Sequence, residues 1–111
     1  MSSAWKDLER TVAKELGGQR ILRGDDFRRS DVDVLVEDFP HFKIDCKHRK
    51  GSWKHHSLLK EIKRKYCTSE YQVPVLVTKC RGEHGECVTV PLQAFKALLN
   101  ALRVIRDEGP K

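Results

Sequence analysis

The chain lacks the features that place a protein in a membrane or outside a cell. None of its apolar runs approaches the roughly 20 residues of a membrane span, and its N-terminus has no apolar core of a signal peptide. Repeats, low-complexity tracts and linkers are also missing. We therefore expect one domain over residues 1–111, with its core at about 3–106 and a flexible tail at 107–111, made and kept inside a cell with no membrane partner.

The spacing of the cysteines argues against a zinc module. The four cysteines are Cys46, Cys67, Cys80 and Cys87, and none forms the paired Cys-x-x-Cys knuckles of such a module. The segment from Cys80 to Cys87 contains His84, and with Cys67 it offers a possible metal site. A hairpin tip with incidental cysteines is the favoured interpretation. In an intracellular chain all four thiols are expected to be reduced.

Charge, by contrast, is plentiful and unbalanced. The chain has 22 Lys and Arg against 16 Asp and Glu, which gives a net charge of +6, and hydrophobic residues make up 39%. That apolar content is enough for one small core. The surplus of positive charge favours a polyanionic partner, nucleic acid first and an anionic membrane surface second.

The hydrophobic pattern predicts a single α/β domain. A helix ends at Gly17-Gly18; strands are expected at 19–23, 31–36 and 42–47, a helix at about 54–67, a buried strand at 73–79, another strand at 87–90, and a last helix after Pro91. This α-β-β-β-α-β-β-α order implies a mixed sheet, with an antiparallel meander followed by a crossover to the buried strand.

Two neighbouring predicted strands carry acids on otherwise apolar backbones. Because side chains alternate along a strand, Asp45 and Lys47 share one face, and Cys46 points to the other. An Asp in such an apolar run is costly to bury without a partner. A divalent cation held by Asp33 and Asp45, beside Lys47, would supply that partner. Asp31 shares the face of Asp33 and is a rival ligand.

A third carboxylate comes from the first helix. At about 100° per residue, Glu9 lies about 40° from Trp5 and borders the apolar stripe, so it faces the fold; the alternative is a Glu whose stem packs while its head reaches water. Carboxylates suit Mg²⁺ or Mn²⁺, and such ions can hold a scissile phosphate and activate a water. Lys47 would orient or deprotonate that water. Cys46 would pack in the core, with its backbone carbonyl in reach of the ion.

Basic residues flank this predicted site. The candidates for DNA contact are Arg28, Arg29, His48, Arg49, Lys50, Trp53, Lys54, Lys60, Lys63 and Arg64. Positive charge interleaved with an aromatic suits a DNA backbone with an exposed or unstacked base. The alternatives are a solvated loop, a solvated helix face, and a Trp53 that caps the core.

These motifs resemble the PD-(D/E)XK nuclease superfamily, and within it the archaeal-type Holliday junction resolvases. The resemblance covers about residues 5–105 and rests on Glu9, on Val32-Asp33-Val34, and on Ile44-Asp45-Cys46-Lys47 followed by the basic stretch His48-Arg49-Lys50. It implies a restriction-endonuclease-like αβββαβ core with a mixed central sheet and a C-terminal helix. It also implies a catalytic serine before the strand aspartate, and Ser30 is the position that matches best.

The function implied by the resemblance is Mg²⁺-dependent hydrolysis of four-way DNA junctions by a symmetric homodimer. Mn²⁺ would substitute, no small-molecule cofactor is needed, and the protein would be cytoplasmic or nucleoid-associated, in a cell or as a viral protein in a host. The last helix and the strand at 87–90 are candidates for the dimer interface.

Two departures from the family pattern leave alternatives open. Asp45 stands where the family usually has Glu, so an ion would sit closer to the strand, and Val32 replaces the Pro that usually precedes Asp33. The alternatives are a related nuclease for flap, branched or single-stranded DNA or a restriction-type enzyme, a non-catalytic nucleic-acid-binding domain of the same fold, and a basic domain that binds proteins.

Overall fold

The computed structural model describes residues 4–21, 32–50 and 53–108. Its elements follow the predicted order: α1 (Ala4–Leu16), β1 (Gln19–Arg20), β2 (Val34–Leu35), β3 (Phe42–Arg49), α2 (His55–Tyr66), β4 (Val73–Cys80), β5 (Cys87–Thr89) and α3 (Leu92–Glu108). α3 continues through Glu108 and so includes the first two residues of the expected tail, whose flexibility stays a prediction. The remaining tail residues lie outside the described segments.

The five strands form one mixed sheet in the order β1-β2-β3-β4-β5. β1, β2 and β3 pair antiparallel, β3 and β4 pair in parallel with Asp45 opposite Leu76, and β5 returns antiparallel to β4. The parallel pair requires a crossover, which α2 provides. The α/β class, the meander and the crossover predicted from the sequence are therefore present.

β2 is much shorter than the predicted strand at 31–36. Its ladder with β3 pairs Val34 with Ile44, and the Asp33 N–H still donates to the Ile44 carbonyl at 3.0 Å. One step further along β3, the Cys46 N–H donates instead to the Asp33 carboxylate, at 2.8 Å from Oδ2. A side chain thus continues the ladder where backbone pairing stops, and this places Asp33 at the end of the β2–β3 ladder.

Two clusters of apolar side chains make up the core. On one side of the sheet, Leu8, Val12 and Ala13 of α1 pack against strand residues that include Ile44 and Cys46. In the second cluster, Leu58 and Ile62 of α2 pack against Leu76. β4 is therefore buried over its middle, as the near-continuous apolar run predicted.

Gly18 sets how closely the turn after α1 approaches β2. Gly17 has φ of +67° and ends α1, and Gly18 follows it. A Cβ at Gly18 would fall 2.5 Å from the Leu35 carbonyl oxygen, far inside van der Waals contact. The close approach fixes the position of α1, and of Glu9 on it, against the strands.

α3 is the element that the rest of the domain covers least. None of its residues is buried, and its large apolar side chains, among them Leu92, Phe95, Leu102 and Ile105, are 36–76% exposed. At about 100° per residue, apolar residues occupy roughly two thirds of its circumference. Within the described segments, no helix combines the length and apolar character needed to cross a membrane.

Candidate functional site

One cleft of about 500 Å³ is lined by all four of the predicted catalytic residues that the structure describes. Glu9 lies on α1, Asp33 immediately precedes β2, and Asp45 and Lys47 lie on β3. The remaining lining residues are Trp5, Lys6, Arg20, Ile21, Cys46, His48 and Arg49. Among the described residues, no strand pairs with β3 beyond Asp33 on this side, and residues from both faces of β3 line the cleft.

All three carboxylates are buried and partnered. Glu9, Asp33 and Asp45 are only 5–6% exposed. Asp33 accepts the Cys46 N–H, the Lys47 Nζ lies 3.2 Å from Asp45 Oδ2, and the Arg20 Nε lies 2.7 Å from Glu9 Oε1. A buried carboxylate is stable only with such partners, so this end of the fold is arranged around acids rather than around apolar packing.

Asp33 and Asp45 lie close enough to perturb each other. Burial, then the hydrogen bond and charge of Asp33, raise the pKa of Asp45 from 3.8 to about 6, although the Lys47 ammonium acts in the opposite direction. Two carboxyl groups that share a buried site resist ionising together. A cation placed between the two carboxylates would therefore reduce their mutual repulsion and favour the ionised form of both.

Cys46 contributes its backbone to the site and its side chain to the core. The thiol packs in the cluster under α1, and burial raises its pKa far above the ordinary range, so it stays protonated. The N–H and C=O of one strand residue point to the same side of the strand. Because the Cys46 N–H points to Asp33, its carbonyl also points toward the β2 side of β3; its role as a ligand stays a prediction.

The donor set at this edge fits a hard divalent ion. The Asp33 and Asp45 carboxylates and the Cys46 carbonyl are oxygen ligands of the kind that Mg²⁺ and Mn²⁺ prefer. Among the described residues, no three His, Cys, Asp or Glu side chains form a group that could hold a metal. Glu9, the predicted third carboxylate, instead contacts Arg20. Two acids thus fit the ion directly, and Glu9 would have to release Arg20 to join them.

The sequence reasoning did not single out Arg20 and Trp5. Arg20 was assigned only to an edge strand, yet it is the partner of Glu9. Trp5 was expected in the buried stripe of α1, but it is 47% exposed and lines the cleft. One signal was available for Trp5: it stands four residues before Glu9, a spacing that puts both on one helix face.

The candidate DNA-contact residues divide into three groups. His48 and Arg49 line the cleft. Trp53 packs against the α2 cluster, with its Nε1 3.0 Å from the Cys80 Sγ and the Arg49 guanidinium 5.5 Å from its ring; these contacts match the core-capping alternative. Exposed residues outside the cleft lining are Lys50, Lys54, Lys60, Lys63 and Arg64.

Four predicted positions lie outside the described residues: Arg28, Arg29, Ser30 and Asp31. The preference for Asp33 over Asp31 therefore stays a prediction, as does the catalytic role of Ser30. None of the four cysteines forms a disulfide in the structure, and the reduced state expected for them stays a prediction.

No family model matches the chain, and comparison with curated proteins and with solved structures likewise gave no match. The function therefore has to be argued from the cleft itself.

Proposed function

We propose that the chain is a Mg²⁺-dependent DNA endonuclease with a restriction-endonuclease-like core, and that it resolves four-way junctions by hydrolysing phosphodiester bonds. The observation that carries the proposal is the buried Asp33–Asp45 pair with Lys47 at 3.2 Å from Asp45. Paired acids beside a lysine, in a cleft of a chain with net charge +6, suit a cation and a phosphate together.

Each residue of the cleft has a distinct role in this proposal. Asp33, Asp45 and the Cys46 carbonyl would hold the ion, with Glu9 as an additional ligand. When bound, the ion supplies charge stabilisation for the phosphate and a water of lowered pKa. The Lys47 side chain lies against Asp45, where its ammonium would orient the water, and as the neutral amine it would accept the proton that the water loses. His48 and Arg49 offset the charge of the flanking phosphates.

Cutting a four-way junction symmetrically needs two active sites, which a two-fold dimer supplies. We assign the second copy of the chain to the exposed apolar face of α3. This 17-residue helix is about 25 Å long at about 1.5 Å per residue. Its apolar surface continues into a groove lined by Phe39, Phe42 and Tyr71. Stable dimers bury about 800 Å² per partner, and the α3 face with this groove would contribute to that area.

The proposal is tested by cleavage of labelled DNA with and without Mg²⁺. We expect the parent to cut a four-way junction, and Asp33→Asn and Lys47→Ala to lower the rate by about 100-fold or more, the range for loss of general acid–base or ligand groups. Lys14→Ala, an exposed α1 lysine outside the cleft lining, is the matched control. A parent that cuts no DNA, or an Asp33→Asn variant as active as the parent, would refute the enzymatic function.

The relative rates on junction, flap, single-stranded and duplex DNA decide the substrate. Faster cleavage of the junction supports resolution. Faster cleavage of a flap or a single strand points to the related nuclease instead.

One contact favours a second candidate, a non-catalytic nucleic-acid-binding domain. The Arg20–Glu9 ion pair occupies the acid that would complete the metal shell, so the basic cleft could bind DNA with no ion. Metal-independent binding without cleavage of any substrate would support this function over the first.

A further inference from the structure

Trp5 is an aromatic side chain exposed in a cleft that is lined mostly by charged residues. It lies in the first part of α1, lines the same cleft as Asp33 and Asp45, and leaves 47% of its surface in contact with solvent. An indole has a large apolar surface that folding would ordinarily bury. Its ring is therefore available to a ligand that presents a flat apolar face.

Two cations accompany the ring. The Lys6 Nζ lies over the Trp5 ring at 5.3 Å from its centroid, and the Arg20 Cζ lies over it at 6.0 Å, so a stacked base would take the place of one of these cations. Arg20 also binds Glu9, so one guanidinium connects the indole with the catalytic acids. An aromatic face flanked by positive charge is the combination that holds a nucleotide, because the ring receives the base and the cations receive the phosphates.

Trp53, the other tryptophan of the chain, is poorly placed for this role. It is only partly exposed, its N–H is directed to the Cys80 sulfur, and it packs on the apolar cluster under α2. The aromatic that the sequence suggested for base contact is therefore engaged in packing. Trp5 has the free surface that such a contact needs.

We infer that Trp5 is a stacking platform for an unpaired or unstacked base next to the scissile phosphate. The inference rests on the proposed function for the class of ligand, DNA, and it narrows the substrate. Bases inside an intact duplex are already stacked on each other, so the indole is available only to a base that is unpaired, as in a flap, or unstacked from its neighbour, as at the branch point of a four-way junction. The cleft thus selects strands with open bases, such as those at branch points or flaps, over continuous duplex.

Binding in EDTA tests the inference without any cleavage. We measure anisotropy of a labelled oligothymidine of about 12 nucleotides, within the range that such sites cover, and of a duplex of equal length. Trp5→Ala should weaken single-strand binding about tenfold, which is about 1.4 kcal/mol, and change duplex binding less than twofold. Trp5→Phe, which keeps a ring, should retain most of the affinity.

Leu16→Ala is the matched control, because Leu16 is on the same helix as Trp5, is 45% exposed and lies outside the cleft lining; it should bind both DNAs as the parent does. Equal losses for single strand and duplex in Trp5→Ala, or no loss for either, overturn the inference. Circular dichroism of each variant excludes misfolding as the cause.

Fluorescence gives a second readout that does not depend on affinity. Trp53→Phe leaves Trp5 as the one remaining tryptophan of the chain, and stacking on thymine should quench its emission, whereas an unchanged emission at saturating oligothymidine overturns the inference. The two proposals fail separately. Quenching without Mg²⁺-dependent cleavage supports the platform and refutes the nuclease, and cleavage without quenching does the reverse.

Discussion

At the scale of single residues, the fold shifts the pKa of the Asp45 carboxyl group, and this shift can be tested. Its pKa is raised to about 6, with burial as the largest cause and Asp33 next. A group whose folded pKa is raised stabilises the folded state fully below its unfolded pKa of 3.8, and that contribution is lost as the pH rises through about 6. In the metal-free protein, Asp45 therefore contributes least to the stability of the folded state at neutral pH.

We predict that Asp45→Asn stabilises the metal-free protein at neutral pH. Relative to the parent, its free energy of unfolding in EDTA should rise by on the order of 2 kcal/mol between about pH 4 and about pH 7.5, since one pKa unit corresponds to about 1.4 kcal/mol. Urea titrations at both pH values measure it. Asp38→Asn, at an exposed turn position, is the control. A difference that does not change with pH would contradict the prediction.

The acids of the cleft could be anticipated because local rules determine them. Strand alternation places Asp45 beside Lys47, and the helical arc turns Glu9 inward. The Arg20–Glu9 pair depends on how the chain turns at Gly17-Gly18, which no periodicity encodes. The exposure of Trp5 depends on which part of α1 the sheet covers, and its apolar spacing alone misled the prediction.

At the scale of elements, the approach of the α1–β1 turn to β2 controls the site from a distance. A Cβ at Gly18 would meet the Leu35 carbonyl at 2.5 Å, so the backbone has to shift. We predict that Gly18→Ala destabilises the fold by about 1–3 kcal/mol and also lowers the cleavage rate, because Arg20 and Glu9 move with the turn.

Gly85→Ala is the control that separates loss of stability from loss of cleavage in Gly18→Ala. Gly85 has φ of +84° in the turn before β5, with open space around it. Alanine there strains the backbone and lowers thermal stability, but cleavage should match that of the parent. Gly18→Ala cutting at the parental rate would show that the turn does not position the site.

α3 makes the clearest prediction about assembly. Leu102→Lys with Ile105→Lys places two charges on the apolar face, where both side chains are exposed in the monomer, so folding should survive and dimerisation should not. Sedimentation at micromolar concentration measures the change from dimer to monomer. Gln93→Lys with Asn100→Lys adds the same charge to the polar face and should stay dimeric. A monomeric parent would rule out this interface.

The sequence predicted the apolar stripe of α3 but not what covers it. The spacing of Leu92, Phe95 and Leu102 is the same whether a helix packs on its own sheet or on another copy. The short β2 was missed for a related reason. The Val-rich run at 31–36 has strand character throughout, and this pattern does not predict that the Asp33 side chain accepts the Cys46 N–H.

At the scale of the whole molecule, the net charge of +6 predicts strongly salt-dependent DNA binding. Neutralising phosphates releases counterions, and the logarithm of affinity falls with the logarithm of salt with a slope of about −0.9 per phosphate contacted on duplex DNA. Arg49→Ala, in the cleft lining, should reduce that slope by about one. Lys14→Ala should leave it unchanged, and an affinity independent of salt would point to a protein partner.

The bond from the Cys46 N–H to the Asp33 carboxylate has a consequence for spectroscopy. In a regular ladder the exchange of an amide hydrogen with solvent reports on opening of the sheet. Here the Cys46 amide is protected by a side chain, so its exchange rate follows the orientation of one carboxylate. Titration of the protein with Mg²⁺ while this single amide is followed by NMR would register recruitment of Asp33 by the ion, before any DNA is added.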